Sequence, residues 1–419
     1  LCVAAIHKEK KSYFGIFARS PGSMLHRSIE VLEMFAQKLK ELRNLTHAHS
    51  GKFASTGFNR LFSDLQSELD EAYFAQINSH LKTLQFRSGT LVSADLGVGG
   101  KGKNYTLRSP GWHKGNWLKS LFSPKTPHYT LTLHPRDEAG ARALGELRDR
   151  GLNTTANALA QSNDHILSFF KMLRAELAFY LGCVNLYETL GALKVACTFP
   201  DPKPLEEPFW RCCNLCDPSL ALSLKKPPVG NDVDANGRVL VLITGANRGG
   251  KSTFLRSAGL AQLMMQAGMF VAAEQFSASV CSSLFTHFKR EEDREMVSGK
   301  FDEELARMSR IADKITPGAL VLFNESFAAT NEREGAEIAR QIVLALMENH
   351  ARGFFVTHMF TLASAMNDAG EQNCLSLRAE RAKDGTRSFR MQVAAPLATS
   401  YGEDLYRQIW HENSIGGRG

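Results

Sequence analysis

The chain has 419 residues, 43% hydrophobic and 22% charged, ordinary values for a globular protein of two or three domains. No apolar run in it is long enough to cross a bilayer, and the opening "LCVAAIHKEKK" does not read as a secretory signal, which argues against membrane-spanning and secreted classes. The net charge of +7 is uneven: residues 1–130 carry 18 Lys+Arg against 9 Asp+Glu, and the rest is close to neutral. Such a basic half suits either a polyanion partner or a merely solvated surface. Eight Cys at irregular spacing fit free thiols in a reducing compartment, and the single CxxC in "CCNLC" (212–216) has no second ligand pair at zinc spacing. The missing initiator Met suggests a fragment, and a cytoplasmic location (nucleoid-associated if bacterial) is expected.

From Met24 to about Leu84 the spacing of Ile29, Leu32, Phe35 and Leu39, then Leu61, Leu65 and Leu69, predicts helix. Residues 86–133 change texture: "GTLVSADLGVGGKGKNYTLRSPGWHKGNW" is Gly-rich and predicts a small β-rich insert. Lys101, Lys103, Arg108, Lys114 and Lys119 sit there beside Tyr105, Trp112 and Trp117, a mixture that could touch a nucleic-acid backbone or simply line an ordinary polar insert. A long helix is predicted over 155–190, where Ile166, Phe169, Phe170, Leu173, Leu177, Tyr180, Leu181 and Val184 make one apolar stripe expected to be a packing face. The Pro-rich "CTFPDPKPLEEPFW" (197–210) breaks it and sets the expected boundary between domains 1–204 and 205–419. Beyond it, "RVLVLITG", "ALVLFNES" and "GFFVTH" are short, wholly apolar strands alternating with helices. That pattern predicts an α/β domain with a mostly parallel sheet covered on both faces.

The segment Gly245-Ala246-Asn247-Arg248-Gly249-Gly250-Lys251-Ser252 fits G-x-x-x-x-G-K-[ST] between a predicted strand (239–243) and a predicted helix (252–266). Gly245 and Gly250 let the backbone curl so that N–H groups face phosphate oxygens, and the helix N-terminus adds partial positive charge. Lys251 is placed to reach the β and γ phosphates, and Ser252 to put a hydroxyl on Mg²⁺.

"ITGANRGGKSTFLRSAGLAQLMMQAGMFVAAE" resembles the phosphate loop and following helix of the MutS family of DNA mismatch-repair ATPases, including Asn247 inside the loop. "GKFDEELARMSRI" (299–311), "LVLFNES", "TNEREG" (330–335), "VTH" (356–358) and "ATSYGEDL" (398–405) follow in family order. The resemblance covers about 230–410 and extends more weakly over the helical half, which looks like the family's core and lever domains with the basic insert at its DNA clamp. It implies an ABC-like P-loop ATPase fold, ATP or ADP with Mg²⁺ as cofactors, and double-stranded DNA, mismatched or branched, as partner. It further implies a homodimer through the ATPase domain, with the loop around Ser298-Gly299 given in trans. By the same resemblance Lys251, Ser252 and Thr253 contact nucleotide and metal, Glu325 activates water, and His358 senses the γ-phosphate.

One letter departs. The strand ends in Asn324-Glu325 where P-loop proteins usually show a carboxylate first. Losing such outer-shell support costs about 10–100-fold in metal affinity, roughly 1.4–2.7 kcal/mol. Asn324 keeps a carbonyl oxygen and Glu325 keeps the base, so slow hydrolysis is expected over a site that binds without turnover. "FAAT" (327–330) replaces the family's Gly-Arg-Gly-Thr turn, and no residue here supports mismatch reading. Two other readings stay open: a nucleotide-binding scaffold, and an ATPase for branched DNA. A chromosome-organising ATPase would need long heptads that the chain lacks.

Overall fold

The computed structural model describes residues 21–86, 89–108, 130, 132–289, 299–368, 373–382, 384–399, 401, 402, 404 and 406. Lys114, Trp112, Trp117, Lys119 and Ser298 lie outside them. The chain forms two compact units, residues 1–179 and 180–419.

In the first unit, α1 (Pro21–His49), α2 (Thr56–Glu68) and α3 (Glu71–Leu84) follow the expected periodicity. Ser55 and Asp70 cap the last two by accepting from the amides of Phe58 and Tyr73. Leu25 and Ile29 pack with Leu81, Leu152 and Ala156, and Phe35 stacks on Phe170 at 5.9 Å. The insert supplies an antiparallel hairpin, β1 (Leu91–Leu96) and β2 (Gly102–Arg108), with Leu91 opposite Arg108.

The long helix α4 (Glu138–Ala192) starts well before the expected residue 155. "EAGARALGELRDRGL" hides the helix because charge and glycine dilute its apolar period. Gly151 has a packing reason: a Cβ there would sit 2.7 Å from Val92 of the hairpin. The apolar stripe corrects a second expectation. Ile166 and Phe170 pack beside Phe35 and Leu167, but Leu177, Tyr180, Leu181 and Val184 stay 43–61% exposed among the described residues, so burial along the stripe falls away toward its C-terminal end. The unit boundary falls inside α4, ahead of the Pro-rich break at 197–210. The last turns of α4 belong with the second unit, since Leu190 is fully buried there and Tyr187 meets Phe270 edge-on at 5.2 Å.

The second unit is built on six strands: β6 (Leu240–Gly245), β8 (Leu284–Phe288), β9 (Leu320–Asn324), β10 (Arg352–Val356), β11 (Cys374–Arg381) and β12 (Arg387–Val393). Their order is β12-β11-β6-β10-β9-β8, parallel throughout except for β12. A four-stranded mixed sheet joins β3 (Asp201–Lys203), β7 (Gln275–Ser279), β4 (Trp210–Leu215) and β5 (Asn231–Asp234) in that order. The short helix α5 (Pro218–Leu224) follows β4.

The six-stranded sheet reads as apolar throughout because both faces are covered. Val241, Ile243, Leu320, Leu322, Phe354 and Val356 face α6 (Lys251–Gln266) and the smaller sheet. Their alternates Leu240, Leu242, Val321, Phe323 and Phe355 face α7 (Lys300–Ala312), α8 (Glu332–Glu348) and α9 (Phe360–Asp368). The α/β expectation for the C-terminal half is met at this level. Parallel register aligns Ile243, Val356 and Asn324, so the loops after β6, β9 and β10 emerge along one edge, where open α/β sheets take ligands.

Candidate nucleotide site

The loop after β6 turns into α6 through backbone that most side chains resist. Gly245 has φ 106 and Gly250 has φ 92, and a Cβ on Gly245 would lie 2.8 Å from the amide nitrogen of Ala379. Gly250 is the N-cap of α6 and offers no side-chain acceptor, so the first-turn amides keep their capacity for an anion. Arg248, with φ 58, completes the curl.

Lys251 is 5% exposed, and its ammonium donates to the carbonyls of Gly245 (2.9 Å) and Ala246 (3.1 Å). Burial pulls its pKa down from the usual value, partly countered by the nearby Glu325 carboxylate. The Ser252 hydroxyl donates to Asn324 Oδ1 at 2.8 Å. The amide therefore supplies the acceptor that a carboxylate would give in the same place, without its charge. Glu325 follows directly, held by its amide donating to Val356 O (2.9 Å), with φ 52.

A cavity of about 600 Å³ brings Asn247–Thr253 together with Glu325. Leu220, Leu224, Pro227, Pro228 and Val229 give it a mainly apolar wall that also carries Lys226, and Phe389 lies beside Gly250. Asp217 fixes that wall to α6: its carboxylate caps α5 through the Ser219 and Leu220 amides, accepts from Arg256 Nε at 2.5 Å and pairs with the same guanidinium through Nη2. Gly245, Ala246 and Asn324 lie behind the lining. His358 is exposed just past β10 and does not line the cavity.

The sequence reading missed a clamp on this loop. Arg387 Nε donates to Asn247 O at 2.8 Å, and its guanidinium also meets Asp404 at 3.4 Å. Asp404 is held bidentately by Arg381 (2.6 and 2.7 Å), whose guanidinium lies 4.4 Å from the Tyr401 ring centre. The one available hint was "SYGED" near the end; nothing local tied it to position 247. Phe389 was also missed, having no motif of its own.

In the hairpin, Lys101, Lys103 and Arg108 are exposed, and Arg108 Nε donates to Ser93 Oγ at 2.8 Å. Tyr105 instead lies 5.7 Å from the Arg150 guanidinium of α4, half-buried. The thiols of "CCNLC" diverge: Cys212 and Cys216 are buried, with burial pushing Cys216 up to about 11, while Cys213 faces Glu274.

Residues 1–193 match the family model of the MutS2 N-terminal domain, and residues 241–409 match that of MutS domain V. The DNA mismatch repair protein MutS of Porphyromonas gingivalis is 34% identical over 146 residues, 34% of this chain and 16% of that protein. MutS of Thermus aquaticus is 32% identical over 177 residues, 42% of this chain and 22% of that protein. Endonuclease MutS2 of Thermus thermophilus is 34% identical over 142 residues, 34% of this chain and 19% of that protein. The chain thus spans less than a quarter of the length of these relatives.

Proposed function

Because the chain belongs to the MutS family, we propose that it binds ATP with Mg²⁺, hydrolyses it slowly, and uses the cycle to control a grip on DNA in repair or recombination. One observation carries this reading: the glycine-framed loop, the Ser252–Asn324 hydrogen bond and Glu325 converge on a single cavity. The apolar wall with Phe389 suits a purine, and the α6 amides suit the phosphates. Lys251 leaves its two loop carbonyls for the β and γ phosphates. Glu325 orients and deprotonates the attacking water. Ser252 and Asn324 present two neutral oxygens at the place where a hard cation would sit, a set that fits Mg²⁺ completed by phosphate and water. The ion would neutralise charge on the phosphates. His358, exposed beyond β10 and outside the cavity lining, is assigned the γ-phosphate contact on the family resemblance alone.

Residues 205–419 serve as the ATPase head, working as a homodimer, and residues 1–204 as core and lever. Titration with a fluorescent ATP analogue, followed by steady-state phosphate release, tests the core of this reading. No saturable binding, or release equal to that of a Glu325 variant, overturns it. Restoring the carboxylate with Asn324→Asp is expected to tighten Mg²⁺ dependence by about 10-fold and to raise the rate at limiting Mg²⁺. An unchanged Mg²⁺ titration would show that the amide costs nothing.

The exposed Lys101, Lys103 and Arg108 are assigned to the DNA backbone. Binding is then strongly salt-dependent, and replacing both lysines by Gln is expected to lower the slope of log K against log salt by about 2. The slope is measured on homoduplex, mismatched and four-way DNA with ADP and ATP, which also ranks the substrates. An unaltered slope moves the DNA surface elsewhere.

A further inference from the structure

Directly behind Glu325 lies a polar cluster that the phosphate chemistry does not use. His287 of β8, Ser326 and Phe327 are fully buried, and Glu304 of α7 is 4% exposed. His287 Nε2 lies 3.0 Å from the backbone carbonyl of Glu304. A carbonyl only accepts, so Nε2 carries the hydrogen and the tautomer is fixed. Burial pushes the imidazole pKa down, which keeps it neutral, with Nδ1 as an acceptor. The Ser326 hydroxyl lies 2.7 Å from Nδ1 and 2.6 Å from His287 O, and its hydrogen serves both. The Glu304 carboxylate accepts from the Phe327 amide at 2.9 Å, and the Phe327 ring stacks on His287 at 5.0 Å and 16°.

These bonds converge on three consecutive residues with an unusual backbone. Glu325 (φ 52) and Phe327 (φ 63) are both left-handed non-glycine residues, and Ser326 sits between them. Such backbone persists where its surroundings over-determine it, and it concentrates at working sites. Here Ser326 is tied from β8 on one side, and the Phe327 amide is tied from α7 on the other. Only Glu325 of the three projects into the cavity.

We propose that His287, Ser326 and Glu304 are positioning residues that hold the 325–327 turn so that the Glu325 carboxylate meets the attacking water. This rests on the reading of Glu325 as the hydrolytic base. The device also explains how "FAAT" can follow the acidic residue without the glycines of the related turn. A stacked imidazole and a buried carboxylate supply from outside the turn the restraint that glycines would otherwise make unnecessary.

The test uses the full chain with His287→Phe, Ser326→Ala, Glu304→Ala and Glu304→Gln. His287→Phe keeps the stack on Phe327 and deletes both ring hydrogen bonds. Glu304→Gln still accepts from the Phe327 amide, whereas Glu304→Ala does not. Phosphate release gives kcat and KM, a fluorescent ATP analogue gives Kd, and thermal unfolding gives Tm. His287→Phe and Glu304→Ala are expected to lower kcat about 10- to 100-fold with Kd held within about twofold, because a misplacement of the order of an ångström costs that much. Glu304→Gln is expected to recover to within about threefold of wild type. If His287→Phe does not fold, the Ala/Gln pair at 304 decides. Folded variants with unchanged kcat overturn the proposal, as does a kcat that falls only in step with Kd and Tm. A wild type without turnover overturns the hydrolytic reading as well, whereas active wild type with indifferent variants overturns the positioning role alone.

Discussion

Replacing Glu325 by Gln is expected to slow steady-state phosphate release by about 10²–10⁴-fold while leaving ATP affinity within about twofold. Glutamine has nearly the same shape, so the backbone bond from residue 325 to Val356 O and the left-handed turn should survive. What is lost is a basic carboxylate facing the cavity. The separation of rate from affinity is the diagnostic feature, because a damaged fold would lower both. The variant should trap ATP-bound protein, visible as unhydrolysed nucleotide after gel filtration. Equal release by wild type and variant would leave a binding scaffold as the surviving description.

Lys251→Met is expected to act on the other axis. Removing one partner of a buried charge-assisted contact costs about 2–5 kcal/mol, a roughly 30- to 5,000-fold loss of nucleotide affinity. The measurement is a direct titration with ATP and ADP. ATP should suffer more, since it offers the γ-phosphate in addition. A pH effect accompanies this. Burial is the larger influence on Lys251 and lowers its pKa below the ordinary 10.5, with Glu325 opposing. A lysine is charged below its pKa, so affinity is level on the acid side of the lowered value. It declines as pH rises through that value, earlier than an ordinary lysine would lose its proton. Titration curves that coincide for wild type and Met variant would remove Lys251 from the binding account.

The parts legible in the sequence were those whose physics is local. A glycine-framed loop between an apolar strand and a helix needs only contiguous residues, and so does the acidic end of β9. Strand type was legible because Leu240–Ile243 and Leu320–Phe323 are buried on both faces, which removes the alternation of a half-exposed strand. The start of α4 was not legible, because Gly151 is retained for a contact with Val92, some sixty residues away in sequence. Likewise His287 and Glu304 look unremarkable in their own segments. Their meaning comes from meeting at Ser326 and Phe327, which only the packing of β8 and α7 against the end of β9 brings about. The stripe on α4 shows the opposite error: periodicity identified an apolar face but could not say whether anything in the chain covers it.

The ladder Asp404–Arg387–Asn247 has a bearing on how variation in this protein should be interpreted. A substitution more than 150 positions from the glycine loop can release the Arg387 guanidinium that holds the Asn247 carbonyl, and so alter nucleotide affinity without touching nucleotide. A genetic screen that ranks changes by their distance along the chain would file Asp404 with the tail. Mechanically it belongs to the mouth of the pocket.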